Sequence, residues 1–166
     1  MTTQHTENEI IGTGKTVTVT SPDQILISGR LRGGAVAGIH IKADMAVPMG
    51  VRLEINGTEG DLLLTGQTAP GKDPVGVQRA DLLLSGAMGG TSEYLPMAVP
   101  SHYNRAPASV PTGPPFYTAQ LLVRMAEAIA SGVEATPNFA DALALHRTLE
   151  AAQHASDQGF RVSLGP

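Results

Sequence analysis

At 166 residues, with 42% hydrophobic content, the chain is long enough to bury one sizeable core and needs no more than one domain. Fifteen Asp and Glu against eleven Lys and Arg give a net charge of -4, so no basic field is available for nucleic acid. There are no cysteines, which removes disulfide frameworks, thiolate metal sites and Cys nucleophiles together and is compatible with a reducing compartment. The first ten residues are polar and nowhere do about 18 apolar residues run together, so neither a signal peptide nor a membrane span is predicted and a cytoplasmic location is expected.

Lys15 to Thr20, rich in Val and Thr, reads as a strand ended by Ser21-Pro22-Asp23, where Pro22 fixes φ and Asp23 can bond to the backbone. Three period-two runs follow. In the first, Ile25, Ile27 and Leu31 oppose Gln24, Ser28 and Arg30, with Leu26 as the exception. In the second, Ala35, Ala37, Ile39 and Ile41 oppose Val36, His40 and Lys42; in the third, Val51, Leu53 and Ile55 oppose Arg52 and Glu54. Arg32-Gly33-Gly34 supplies a tight hairpin loop between the first two. Asn56-Gly57-Thr58 matches a glycosylation acceptor but reads as a turn in a chain without a secretory signal. Asp61 to Thr65 and Val77 to Ser85 add two more strands around a Gly- and Pro-containing loop, and no run between strands is suited to a crossover helix.

Residues 87–115 carry six prolines, which remove backbone donors and hold the chain extended. A loop of this length is expected to pack across something. Two helices follow: one with Leu122, Met125, Ala126 and Ile129 at helical spacing, Pro114 and Pro115 at its start and Gly132 as its stop; the other with Asn138 as N-cap, Asp141 in its first turn, a stripe of Phe139, Ala142, Leu143, His146 and Leu149, and Gly159 at its end. Arg161 to Leu164 reads as a last short strand. The predicted fold is a two-layer α+β domain spanning 9–164, with a largely antiparallel sheet of about six strands, two C-terminal helices covering its apolar face and a disordered or extended tail at 1–8.

Several motifs copy chemistry without its context. Gly66 to Asp73 follows G-x-x-x-x-G-K but places Asp73 where a magnesium-binding hydroxyl belongs, and Pro74 and Gly76 allow no helix. Gly12-Thr13-Gly14 begins a dinucleotide fingerprint that fails at Val17. The histidines do not cluster, His146 reads as a core residue, and neither Ser28-Gly29 nor Ser85-Gly86 has the preceding glycine of a nucleophile elbow. No catalytic, cofactor-binding or metal residue is therefore assigned. The remaining constellation is the polar sheet face of Ser28, Arg30, His40, Lys42, Arg52 and Glu54, which can be solvated, line a ligand pocket or pack against another subunit.

Thr20 to Gly29, Ile55 to Leu62 and the closing Phe139 to Leu164 segment resemble the C-terminal sheet domain of the glucose–fructose oxidoreductase, inositol dehydrogenase and MocA-like (Gfo/Idh/MocA) group, nearest the branch of the yeast galactose-regulon repressor. With the linking segments the similarity covers roughly residues 9 to 164. The resemblance implies a substrate-binding and oligomerisation domain of an NAD(P)-dependent sugar or polyol oxidoreductase. The family's nucleotide-binding Rossmann domain, Glu-Lys-Pro lysine motif and junction Asp and His are all absent from this sequence, which reads as half an enzyme, inactive alone. NAD or NADP is implied only for a full-length or complemented enzyme. The expected partners are a second copy, as a homodimer through the sheet, and, for a subunit without its own nucleotide-binding half, a separate Rossmann-domain protein. The alternative is a non-enzymatic sugar-sensing or self-association protein derived from that family.

Overall fold

The computed structural model describes residues 1–43, 50–67, 77 and 80–165. Among them the fold is α+β, with eight strands paired only in antiparallel fashion and two α-helices. The eight strands form three sheets of two, two and four strands, where one sheet of about six was expected. Contacts divide the chain into two units, Met1–Ala46 with Phe139–Pro166, and Val47–Asn138.

The first unit holds two hairpins. Strands β1 (Glu7–Ile10) and β2 (Lys15–Thr18) pair from Glu7↔Thr18 to Ile10↔Lys15. Their turn needs Gly12 and Gly14 at φ 79 and 67, which explains the glycine spacing that imitates a nucleotide fingerprint. Strands β3 (Gln24–Arg30) and β4 (Val36–Lys42) pair in full register, with Ile25↔Ile41, Ile27↔Ile39 and Gly29↔Ala37 on one face and Leu26↔His40, Ser28↔Gly38 and Arg30↔Val36 on the other. The loop between them closes as expected, Gly34 at φ 93 and Leu31 N–H donating to Ala35 C=O at 2.8 Å.

Residues 1–6, expected as part of a tail, are tied to this unit. Asp23 draws them in: its carboxylate accepts the amides of Gln4 at 2.9 Å and His5 at 2.8 Å, and Thr2 bridges to Gln24. Helix α2 (Phe139–Gln158) ends at Gly159, φ 71. The Met1 ammonium donates to Ser156 Oγ on α2 at 2.8 Å. Arg161 to Leu164 follows without a ladder partner, so the predicted last strand does not form.

The second unit is built on strands β5 (Val51–Asn56), β6 (Gly60–Gln67), β7 (Asp81–Met88) and β8 (Leu95–Pro96), in sequential order. Asn56-Gly57-Thr58 lies at the β5–β6 turn, Gly57 N–H donating to Gly60 C=O at 3.0 Å. The 87–115 loop does pack across something: β8 adds to the edge of β7, where Pro96 forfeits no needed donor. Its later part is held to α1 (Pro114–Ser131) by Gln120, whose Oε1 accepts the amides of Arg105 and Ala106 at 2.6 and 2.8 Å and whose Nε2 donates to Tyr103 C=O at 3.0 Å. Tyr117 OH donates to Ala80 C=O at 2.9 Å, and Gly132 ends the helix in the left-handed conformation at φ 66.

The expected burial of helices against sheet is not what the structure shows. Leu122, Met125, Ile129, Phe139, Leu143 and Leu149 are exposed, as are Ile39, Ile41, Leu53 and Ile55. Among the described residues the only buried hydrophobic ones are Ala80 and Ala128. Among the described residues, neither helix packs on the strands of its own unit beyond marginal contact. In the first unit the physical reason is width: a ribbon of two strands about 5 Å apart offers less than the roughly 10 Å diameter of a helix.

Candidate functional site

The six residues of the expected polar face divide into two groups. In the β3–β4 register Ser28, Arg30, His40 and Lys42 do share a face, since directly opposed residues point the same way. Leu26, 70% exposed, and Val36, 79% exposed, lie among them. Arg52 and Glu54 belong instead to β5, which pairs with β6, and there they form an ion pair with each other.

This division changes the electrostatics. The hairpin from Gln24 to Lys42 holds Arg30, Arg32 and Lys42 and no Asp or Glu, a local positive stretch in a chain of net charge -4. The only acid of the expected set, Glu54, already faces Arg52 on its own strand. Two copies of the hairpin meeting face to face would bring like charges together, so the sheet's polar side lacks the complementarity that an isologous contact requires.

The opposite faces are uncharged. On β3 and β4 the apolar side is Ile25, Ile27, Ala37, Ile39 and Ile41. On the larger sheet the residues in register with Val51, Leu53 and Ile55 are Gly66, Leu64 and Leu62 of β6, then Leu82, Leu84 and Gly86 of β7. Leu53 and Ile55 remain half exposed at 51 and 56%. Near the β7 end of this sheet Met97 lies over Gly86, and Gly60 passes so close to Ala87 that a Cβ there would meet its carbonyl oxygen at 2.5 Å.

Asp23 is the one buried charged residue among those described. Its carboxyl is held below the usual carboxylate range, first by the His5 amide, against partial desolvation, and further by the Gln4 amide and the His5 ring, whose Nδ1 lies 3.2 Å away. The sequence marked Asp23 as a backbone-bonding turn residue; what it bonds, the amides of residues 4 and 5, could not be read locally.

A shallow concavity at the end of α1 is lined by Arg105, Arg124, Glu127, Ser131, Glu134 and Thr136. Arg105 forms an ion pair with Glu127, while Arg124 Nη2 reaches the neutral Thr136 Oγ1 at 3.4 Å and Glu134 accepts from Asn138 Nδ2 at 2.7 Å. This cluster had no signal in the sequence. No group of three or more metal-ligating side chains converges among the described residues.

The glycines that begin the dinucleotide fingerprint are turn residues. Gly12 and Gly14 sit between two strands, so no helix N-terminus stands behind them to face a pyrophosphate. Of the phosphate-loop imitation from Gly66 to Asp73, Gly66 and Gln67 end β6 and Thr68 to Asp73 lie outside the described residues. No helix is long and apolar enough to cross a membrane among the described residues. Compared with known proteins, the chain matches no protein-family model, no curated protein and no solved structure.

Proposed function

We propose that the chain is the substrate-binding and oligomerisation domain of an NAD(P)-dependent sugar or polyol oxidoreductase, dependent for chemistry on a nucleotide-binding domain that these 166 residues do not supply. The substrate class rests on the resemblance of residues 20–29, 55–62 and 139–164 to the Gfo/Idh/MocA sheet domain. The oligomerisation role has support from the geometry.

The observation that carries it is exposed area. The chain presents 13307 Å² to solvent at 17.2 kDa. A compact monomer of that mass exposes about 7,800 Å², and two separate compact bodies of half the mass about 9,400 Å². Among the described residues, exposed isoleucines and leucines occur in both units, Ile39 and Ile41 in the first and Leu53 and Ile55 in the second. Exposed isoleucine and leucine side chains on several strands and both helices are what an assembled protein covers with another chain.

Calorimetric titration with NAD(H) and NADP(H) tests the dependence on a nucleotide-binding domain. The isolated chain is expected to bind neither, and a dissociation constant below about 100 μM, roughly -5.5 kcal/mol, would contradict the reading.

A further inference from the structure

We infer that a second copy of this chain adds to the outer edge of β4, joining two β3–β4 hairpins into one four-stranded antiparallel sheet. The inference rests on the self-association proposed above and names the surface.

Hydrogen-bond parity identifies the open groups. The hairpin ladder is bounded by Leu31 N–H to Ala35 C=O at one end and Ala43 N–H to Asp23 C=O at the other, both 2.8 Å. Antiparallel bonds alternate, so the bonded pairs between them are Ile25 with Ile41, Ile27 with Ile39 and Gly29 with Ala37. The backbone groups of Val36, Gly38, His40 and Lys42 then point away from β3. The same parity holds on the other side, where the outward groups of Gln24 exchange bonds with Thr2 at 3.0 and 3.1 Å. The N-terminal segment thus occupies one end of the β3 edge, whereas β4 has no ladder partner besides β3 among the described residues.

The β4 edge is also undefended. It has no proline and a single charge, Lys42, at its end, and Gly38 offers no side chain to block an approaching strand. A two-fold axis at Ile39 uses all seven residues of the strand. In that register Gly38 bonds with His40 of the second copy and Val36 with Lys42, so no like charges are opposed. An axis at His40 would place the two imidazoles opposite one another and leave part of the strand unpaired. With the axis at Ile39, the two Ile39 side chains meet and each Ile41 lies beside an Ala37. Ile25 and Ile27 of both copies continue the same face, doubling an apolar ribbon that is too narrow to be covered on its own.

The chain contains no cysteine, so one introduced thiol reports the contact. Residue 39 meets its own copy in a non-hydrogen-bonded pair with Cα atoms about 4.5 Å apart, within disulfide range. Ile39→Cys is expected to form an interchain disulfide on mild oxidation, and Leu26→Cys, on β3, to remain single under the same conditions. His40→Pro, which removes an outward donor without touching the β3–β4 ladder, should raise the dimer dissociation constant about tenfold or more, while His40→Ala leaves it near that of the unaltered chain. If His40→Pro fails to fold by circular dichroism, the cross-link decides. An unaltered chain that sediments as a dimer, with Ile39→Cys cross-linking no better than Leu26→Cys, overturns the edge contact and leaves the self-association reading standing. An unaltered chain that stays monomeric overturns both.

Discussion

The two units hold their chains in different ways. In the second, strands lie close enough that glycine is required at Gly60 against the Ala87 backbone, Met97 lies over Gly86, and Gln120 clips the long loop to α1. In the first, two separate hairpins and a helix are joined by polar anchors, Asp23 above all. Backbone proximity and a buried carboxylate can both fix a chain, but neither buries isoleucine or leucine. Each unit therefore reaches its local geometry and still leaves its apolar side chains exposed.

The largest effect should come from breaking the close approach in the second unit. Gly60→Ala places a Cβ against a backbone oxygen at a residue with φ 156, and a cost of about 1–3 kcal/mol is expected in denaturant unfolding. Gly86→Ala meets chiefly the Met97 thioether, which can swing aside, with the Asp61 carbonyl oxygen at an ordinary 3.5 Å, so its cost should be smaller, below about 1 kcal/mol. Equal losses for the two would show that strand proximity is not what holds this unit.

A milder effect separates off the first unit. Because the folded-state pKa of Asp23 lies below its unfolded value, its contribution is fully present above the ordinary carboxylate pKa near 3.8 and is lost as pH falls through the lower folded value. Protection of the Gln4 and His5 amides, measured against the intrinsic exchange rate at each pH, should fall severalfold under acid and likewise at neutral pH in Asp23→Ala. The Arg105 and Ala106 amides, held by an uncharged Gln120 side chain, should not follow Asp23→Ala. Unchanged protection at residues 4 and 5 would remove Asp23 as the anchor.

The smallest expected effect is at Phe139, 95% exposed at the start of α2. The amphipathic stripe predicts a core residue; the structure predicts that Phe139→Ala changes stability by no more than about 0.5 kcal/mol, in a thermal melt dilute enough to keep the chain monomeric. A drop of several kcal/mol there would mean that the stripe is covered within one chain.

Local pattern carried much of the fold. Period-two alternation located β3, β4 and β5, and glycines marked the helix ends at 132 and 159. Strand β1, Glu-Asn-Glu-Ile, has one apolar residue in four and is made by its pairing with β2, while β8 exists only because β7 offers an edge. Alternation also reports which residues share a face and not which strand lies alongside, so Ser28, Arg30, His40 and Lys42 were grouped correctly whereas Arg52 and Glu54 belong to another sheet. The partner of an apolar face is a tertiary or quaternary fact and leaves no trace in spacing.

Self-association is the central claim, and sedimentation velocity between about 1 and 100 μM tests it most directly. The account predicts a concentration-dependent shift to a dimer by tens of micromolar, the affinity expected of a modest but specific interface. A single monomeric species across that range would contradict it.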